Sequence, residues 1–456
     1  MTFESSYIGV FFGASVQFRA FRPGFSVPLR LKSTQPQSET KDRRGGPGFP
    51  NVLIDIASFE SRLFVHPRIP FNKPFITGRE IEYISAAISN SGIAADGYFT
   101  RRCAELLSER FSIPRVLMTS SCTSALELAA LLCDLEQGDE VIMPSFTFVS
   151  TANAVVRCGG KPVFVDIRED TLNIDERLIE DTITSRTKAI FVVHYAGVSC
   201  EMDRINEIAE KHGLVVVEDA AQGVNATYKG RALGSIGHLG AYSFHDTKNY
   251  VSGEGGALCV NDSRFIERAE IIRDKGTNRS QFFRGVVDKY TWVAEGSSFA
   301  PAEIACAFLL AQLEAMDEIT ARRRAVYQFY LENLSPLAEQ ELLTIPTTPE
   351  NCETNYHMFY ILLNDPKTRD GLMEHLKRDG ISAVFHYIPL HSSEMGKKYW
   401  QNRDPLPITD DLSSRLLRLP FYAGITKGEQ VQVVRSISEF LERPVAASPS
   451  RQQLSL

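Results

Sequence analysis

Short apolar strands alternate with helical stretches through the middle of the chain, and this alternation restricts the fold more than any other feature. The predicted strands lie at residues 116–118, 140–143, 162–165, 189–193 and 214–217, and the predicted helices at 124–134, 146–156, 174–183 and 202–212. Strands that are apolar along their whole length and separated by helices favour a mostly parallel sheet covered on both faces. Ligands of such folds bind at the carboxyl ends of the strands.

The alternation continues on a smaller scale toward the carboxyl terminus. The predicted elements there are strands at 241–245, 256–260, 357–363 and 383–387, a long amphipathic helix at 301–334, and helices at 369–378 and 427–441. We therefore predict an α/β protein with a large lobe at 69–318 and a smaller α/β lobe at 319–444. Residues 1–68 are predicted to be a poorly ordered extension, because 31–51 are polar and rich in Pro and Gly, and 445–456 a tail.

Composition excludes several classes of protein. With a net charge of -7, the chain lacks the excess of basic residues that is typical of a nucleic-acid binder. No apolar run approaches the roughly 18 residues of a membrane span. The eight cysteines are scattered without a C-x-x-C pair, which argues against a disulfide framework or a zinc site. We expect a cytoplasmic protein with no metal centre, no nucleic-acid partner and no membrane partner.

Hydroxyl residues at a predicted strand-to-helix junction form the first candidate site. Thr123 and Ser124 follow the strand at 116–118 and begin a helical run. The unpaired N–H groups of a helix amino terminus form a ready phosphate site. The alternative is that these residues only cap the helix.

Two further candidates follow later strands. Asp219 ends an apolar strand, where a carboxylate is costly to bury unless a cationic partner holds it; the alternative is an exposed helix cap. Lys248 stands between a strand and a Gly-rich turn, with Ser243 shortly before it. A desolvated lysine becomes an amine nucleophile for Schiff-base chemistry; the alternative is a surface loop lysine.

The three candidates together match one cofactor. A phosphate cradle, a strand-end carboxylate and a lone lysine, in this order, suit pyridoxal 5′-phosphate (PLP), with the carboxylate keeping the pyridine nitrogen protonated. The glycines fit neither the dinucleotide nor the Walker fingerprint, so a nicotinamide dehydrogenase is a weak rival.

Longer strings extend this interpretation. GYFTRRC, QGDEVIMPS, VHYAGVSCEMD, VEDAAQGV, KGTNRSQFFRG, VDKYTW and FHYIPLH occur between residues 97 and 391. They resemble the DegT/DnrJ/EryC1/StrS family of PLP-dependent sugar aminotransferases, and especially its branch that forms dTDP-4-amino-4,6-dideoxygalactose. The resemblance covers residues 69 to about 443 and implies fold type I, the architecture of aspartate aminotransferase.

The resemblance also implies roles for individual residues. Lys248 would hold PLP and move the proton, and Asp219 would pair with the pyridinium nitrogen. The other implied cofactor contacts are Gln222 at the 3′-oxygen, Thr123, Ser124 and Ser243 at the phosphate, and Phe148 stacked on the ring. His386, Tyr387 and His391 match a segment near the sugar-nucleotide site; from the residues alone, Phe148 is a core Phe and His386 a satisfied strand histidine.

The implied activity is transfer of an amino group from L-glutamate to C4 of a dTDP-4-keto-6-deoxyhexose. The site would be built at the interface of a homodimer or a higher homo-oligomer. Two departures stand out: Ser298 occupies the position of a family Asn that a neighbouring subunit often lends to the phosphate, and the loop after Lys248 is a residue shorter than usual. The rivals are a transaminase for another nucleotide-linked keto sugar and a non-catalytic protein with a PLP fold.

Overall fold

The computed structural model describes residues 8–11, 14–17, 68–90, 92–401 and 404–442. The chain divides into two units, Met1–Phe64 and Val65–Leu456. In the first unit, strands β1 (Ile8–Phe11) and β2 (Ala14–Gln17) pair antiparallel. The remainder of the predicted extension, apart from Arg68, and the predicted tail lie outside the described residues.

A seven-stranded sheet forms the centre of the second unit, with the strand order β3-β11-β10-β7-β6-β4-β5. Its strands are β3 (Arg115–Thr119), β4 (Glu140–Pro144), β5 (Lys161–Val165), β6 (Thr187–Val193), β7 (Val215–Asp219), β10 (Leu239–Ser243) and β11 (Gly256–Val260). Only β11 runs antiparallel to its neighbours. The mostly parallel α/β sheet predicted from the sequence is confirmed.

Helices cover both faces of this sheet. They are α1 (Glu80–Ser89), α2 (Tyr98–Phe111), α3 (Cys122–Leu132), α4 (Val149–Arg157), α5 (Met202–His212), α6 (Ile266–Arg273), α7 (Arg279–Phe283) and α8 (Glu303–Glu314). Val216 and Ile190 pack into the apolar core on one face, and Val217 and Phe191 into the core on the other. Burial on both faces explains why these strands are apolar throughout.

The helix predicted at 174–183 is wrong. The segment forms two short 3-10 turns, Glu176–Leu178 and Glu180–Thr182. The carboxylate of Asp175 accepts a hydrogen bond from the Arg177 N–H at 3.0 Å, and Ile174 is bridged to Ile167 in the loop after β5. These local bonds replace those of a continuous helix.

A three-stranded antiparallel sheet, ordered β12-β14-β15, forms the centre of the carboxyl-terminal part. Its elements are β12 (Leu343–Thr344), β14 (Tyr360–Leu363) and β15 (Leu416–Arg418), with helices α9 (Met316–Glu339), α10 (Pro366–Arg378), α11 (Pro407–Arg415) and α12 (Lys427–Leu441). Tyr330, Phe359 and Leu417 belong to its separate apolar core. A third small sheet, β13-β8-β9, joins β13 (Cys352–Glu353) to β8 (Thr227–Tyr228) and β9 (Arg231–Ala232).

Two other predicted elements differ from the structure. The single helix predicted at 301–334 is divided at Ala315 into α8 and α9. The strand predicted at 383–387 is reduced to one bridge between Val384 and Arg418, and the residues that follow lead to Pro389, which has no N–H to donate to a strand. Among the helices of the described ranges, none has the length and apolar character needed to cross a membrane.

Candidate active site

A cavity of about 560 Å³ opens where the parallel strands end. Eight of the ten residues assigned to the site from the sequence line it: Thr123, Phe148, Asp219, Gln222, Ser243, Lys248, His386 and Tyr387. Asp219 is the last residue of β7 and Ser243 the last of β10. The cavity therefore lies at the edge of the sheet where the fold favours a ligand.

The amino terminus of α3 forms one wall of the cavity. Of its hydroxyl residues, some cap the helix and one faces the cavity, so both functions predicted for them occur here. Ser121 is the N-cap, and its hydroxyl accepts a hydrogen bond from the Ser124 N–H at 3.0 Å. The Ser124 hydroxyl bonds to Ser120 and Ser121, so Ser124 takes part in capping and is not among the lining residues. Thr123 does line the cavity, with its hydroxyl 2.7 Å from that of Ser150.

Gly256 allows the backbone at this helix terminus to lie close to the sheet. A Cβ on Gly256 would lie 2.4 Å from the Ser121 carbonyl carbon and 2.5 Å from the Cys122 nitrogen. Gly256 pairs with Ser243 across β10 and β11. The lack of a side chain at this position therefore brings the helix amino terminus and Ser243 to the same end of the cavity.

Asp219 is a buried carboxylate with specific partners. Its Oδ2 accepts a hydrogen bond from the Thr151 hydroxyl at 2.7 Å, and its Oδ1 accepts one from the Ala221 N–H at 3.2 Å. Burial raises the pKa of Asp219, while these hydrogen bonds and the charge of Lys248 act in the opposite direction. A buried carboxylate of this kind gains from a cationic partner in the cavity.

The neighbouring acid has a structural role. Because side chains alternate along a strand, Glu218 points away from Asp219. Its carboxylate is fully buried and accepts hydrogen bonds from the N–H groups of Gly234, Ile236 and Gly237 at 2.6 to 2.8 Å. It also lies 2.8 Å from His194 Nε2. Glu218 thus holds the loop between β9 and β10.

Lys248 lies in the turn between β10 and β11 and lines the cavity. Desolvation lowers its pKa, and the charge of Arg418 lowers it further, while Asp219 raises it. An amine whose pKa is lowered in this way is more often unprotonated and hence nucleophilic. The next residue, Asn249, is buried and donates from Nδ2 to the Asn355 carbonyl at 2.8 Å, which fixes the turn.

Gln222 and Tyr387 close the cavity from opposite elements. The side-chain oxygen of Gln222 accepts a hydrogen bond from the Ala196 N–H at 2.7 Å, and its Nε2 donates to the Tyr387 hydroxyl at 3.0 Å. His386 is buried, with its Nδ1 3.0 Å from the Tyr195 hydroxyl. Desolvation lowers the pKa of His386 well below its ordinary value, so its ring is neutral.

His391 and Phe148 occupy contrasting positions. His391 is not among the lining residues; its Nδ1 lies 2.7 Å from the Ser145 hydroxyl and its Nε2 3.2 Å from Asp410. Phe148, the N-cap of α4, lines the cavity and is 55% exposed, so it is not the core residue that the sequence alone favoured. Ser298 is exposed and bridged to Asp274.

His357 and Arg418 are two of the lining residues that the sequence did not point to. His357 donates from Nδ1 to Asn249 Oδ1 at 2.9 Å, since the amide nitrogen of Asn249 is used elsewhere. Its pKa is held well below the ordinary value by desolvation, so its Nε2 is an acceptor. Arg418, at the end of β15, also lines the cavity. Both enter from the carboxyl-terminal part, far from Lys248 in the sequence and outside any recognisable motif.

These residues fit pyridoxal phosphate. The helix terminus beside Gly256 offers N–H groups and hydroxyls to a phosphate, Asp219 offers a buried carboxylate to a pyridinium, and Lys248 offers an amine. The three groups line a single cavity. The fold and this site define the class of PLP-dependent aminotransferases.

Solved structures and sequence relatives agree with this classification. The putative sugar aminotransferase Spr1654 from Streptococcus pneumoniae, solved in PLP and PMP forms, matches with a TM-score of 0.75 and 25% identity, over 82% of this chain and 98% of its own. GDP-perosamine synthase from Caulobacter vibrioides is 32% identical over 382 residues, 82% of this chain and 99% of that protein. The protein of the same name from Escherichia coli O157:H7 is 30% identical over 373 residues, 82% and 98% of the two chains.

The family model for DegT/DnrJ/EryC1/StrS aminotransferases matches residues 74–438, and the chain belongs to this family. It is a PLP-dependent sugar aminotransferase.

Proposed function

We propose that this enzyme transfers an amino group from L-glutamate to C4 of a dTDP-4-keto-6-deoxyhexose, forming dTDP-4-amino-4,6-dideoxygalactose. The observation that carries the proposal is the cavity shared by Lys248, Asp219 and Tyr387. Tyr387 and His386 belong to the FHYIPLH string, which resembles the dTDP-sugar branch of the family, and both side chains line the cavity wall.

The chain's own residues have distinct roles in this proposal. When bound, PLP supplies an electron sink that acidifies the carbon bearing the transferred nitrogen. Lys248 Nζ binds the cofactor and then takes and returns the proton at that carbon, because its lowered pKa leaves the amine available as a base. Asp219 stabilises positive charge at the far end of the ring, while Thr151 and Ala221 orient its carboxylate.

The remaining assigned residues bind and orient. Thr123, Ser243 and the backbone at the amino terminus of α3 would hold the phosphate, and Phe148 would stack on the ring. Ser124, whose N–H and hydroxyl are used within the cap, would support this terminus instead of contacting the phosphate. Gln222, already fixed by Ala196, would reach the 3′-oxygen. His386 and Tyr387 would contact the sugar nucleotide. We assign His391 to holding this segment in place, because Ser145 and Asp410 contact its ring.

We also propose a homodimer in a reducing compartment, the cytosol. Aromatic and apolar side chains lie exposed on the two family-like strings at 275–285 and 287–292, among them Phe283 (69% exposed) and Trp292 (79% exposed). The ring of Phe282 contacts those of Phe283 and Tyr290, so these aromatic side chains form a patch, and exposed apolar patches mark interaction surfaces. All eight cysteines are free thiols, as suits a reducing environment.

A second candidate is transfer to a GDP-linked keto sugar. Two relatives that match 82% of this chain bear the name GDP-perosamine synthase. A non-catalytic role is the remaining rival, and the set of Lys248, Asp219 and Ser243 in one cavity argues against it.

One assay separates these functions. The PLP-loaded enzyme is incubated with L-glutamate and, in parallel, with dTDP-4-keto-6-deoxyglucose or a GDP-linked 4-keto-6-deoxyhexose, and the products are identified by mass spectrometry. The proposal predicts amination of the dTDP sugar at the higher kcat/KM and none by Lys248→Ala. Preference for the GDP sugar would overturn the acceptor assignment, and amination of neither would assign the enzyme to another nucleotide-linked keto sugar.

A further inference from the structure

Arg418 is a cation in the cavity without a carboxylate partner among the described residues. It ends β15, where its backbone exchanges hydrogen bonds with Val384. Its guanidinium lies over the ring of Phe71, 4.6 Å from the centroid. Its Nε is buried and has no hydrogen-bond partner within the part of the chain that the structure describes. A buried donor of this kind is costly unless a ligand satisfies it.

Arg418 lines the same cavity as Lys248, His357 and His386. Its charge lowers the pKa of Lys248 and also those of His357 and His386. The backbone of Arg418 pairs with Val384, two residues before His386, so Arg418 lies beside the segment that carries His386 and Tyr387. Arg418 therefore belongs with the residues proposed to contact the substrate.

The two acids that line the cavity, Asp219 and Glu254, have other partners. Asp219 is held by Thr151 and Ala221. Glu254, which also lines the cavity, is 3.6 Å from His245. The groups whose charges act on Arg418 are the phenols of Tyr195 and Tyr387, and burial raises the pKa of both, so neither is an anion at neutral pH. No carboxylate within the described ranges is therefore paired with this positive charge.

We propose that Arg418 binds a carboxylate of the amino donor. A planar guanidinium matches a carboxylate through two parallel hydrogen bonds. The donor's carboxylates are attached to the molecule whose nitrogen must reach Lys248, and Arg418 lines the same cavity as that lysine. This inference rests on the proposed function only in taking an amino acid as the donor; it does not depend on which sugar accepts the nitrogen. The other source of an anionic ligand is the diphosphate of the sugar nucleotide.

The test compares two unreactive ligands on the PLP-loaded enzyme. Glutarate carries both carboxylates of glutamate without the amino group, and dTDP carries the diphosphate without the sugar. Binding of each is measured by calorimetry for the wild type, Arg418→Gln and Arg418→Lys. Arg435→Gln, an exposed arginine on α12, is the matched control. Thermal unfolding and the visible absorbance of each variant report on folding and on loading.

We expect Arg418→Gln to weaken glutarate binding about tenfold or more, as expected for loss of charged hydrogen bonds, with dTDP binding and the visible spectrum unchanged. Arg418→Lys should recover part of the affinity, and Arg435→Gln should match the wild type. In transient kinetics, the Arg418→Gln enzyme should need a correspondingly higher concentration of L-glutamate to reach half of its maximal rate in the first half-reaction. Weakened dTDP binding with unchanged glutarate binding would assign Arg418 to the diphosphate instead, and unchanged binding of both ligands would overturn the inference.

The test stays separate from that of the proposed function. Glutarate binding measures the donor site alone, whereas the proposed function fails if the wild-type enzyme aminates no keto sugar. If Arg418→Gln unfolds, glutarate and dTDP binding are compared in Arg418→Lys and Phe71→Leu instead. Phe71→Leu removes the ring that contacts the guanidinium. An Arg418→Lys enzyme with wild-type glutarate affinity and a loss for dTDP would contradict the proposal.

Discussion

The hydroxyl of Thr151 donates a hydrogen bond of 2.7 Å to Oδ2 of Asp219. A second hydroxyl, that of Thr147, lies 2.9 Å from Thr151 and extends this buried row. The carboxylate proposed to face the pyridinium is therefore oriented by a residue on α4, the helix whose N-cap is Phe148.

Replacing Thr151 with Val should impair catalysis without removing the cofactor. A hydrogen bond to a charged group contributes about 1.5–3 kcal/mol, so we expect kcat to fall about ten- to hundredfold. The kcat of Asp219→Asn should fall further, because this substitution removes the negative charge itself. Steady-state assays and the visible absorbance of both variants measure this. Wild-type kcat in Asp219→Asn would contradict the proposed role of the carboxylate.

Gly256→Ala should weaken cofactor binding. Its Cβ would press on the backbone at Ser121 and Cys122, and overpacking of this kind costs about 1–3 kcal/mol. The helix terminus would shift, so we expect a raised dissociation constant for PLP and a lowered Tm. Gly428→Ala is the control, because nothing lies within 4 Å of its added Cβ. Equal PLP affinity in the two variants would refute the proposed phosphate site.

The pH dependence of PLP capture should report the pKa of Lys248. In the cofactor-free enzyme only the unprotonated amine reacts, so the rate of PLP capture should rise with pH. The midpoint of this rise should lie below 10.5, the ordinary pKa of a lysine. Removing the positive charge in Arg418→Gln should move the midpoint up, and removing the negative charge in Asp219→Asn should move it down. Stopped-flow absorbance across a pH series gives the midpoints. Shifts of opposite sign would show that other groups control the lysine.

Trp292→Arg should weaken the proposed homodimer. Loss of a central aromatic at an interface typically costs about 2 kcal/mol or more, roughly a thirtyfold change in dissociation constant. Sedimentation velocity over a dilution series measures the change. Val431→Arg, an exposed apolar position on α12, is the control. A monomeric wild type, or a Trp292→Arg variant that associates as the wild type does, would refute the assignment of this surface.

The large sheet could be predicted because its strands are buried on both faces. Apolar runs such as Leu214–Val217 predict buried strands. The five strands predicted from the alternation in the middle of the chain all belong to the sheet. The segment at 174–183 was mistaken for a helix because its pattern resembles one, whereas the hydrogen bond between Asp175 and Arg177 and the bridge from Ile174 to Ile167 decide its structure. The apolar pattern alone does not show that these local bonds replace those of a helix.

The cavity was predictable only where residues follow strands. Asp219, Ser243 and Lys248 lie near the ends of parallel strands or in the turn after one, and the topology places them together. His357 and Arg418 enter from the carboxyl-terminal sheet and its flanking loops, and their roles depend on partners or on the lack of one. A lone arginine between leucines in the sequence does not reveal an unpaired guanidinium.

The most direct test of the central claim locates the lysine that holds PLP. Borohydride reduction of the PLP-loaded enzyme fixes the cofactor to the amine that binds it, and peptide mass mapping identifies that residue. We expect a single modified peptide containing Lys248, with no modification and no turnover in Lys248→Ala. A modified lysine elsewhere, or a Lys248→Ala enzyme that keeps its visible absorbance and its activity, would contradict it.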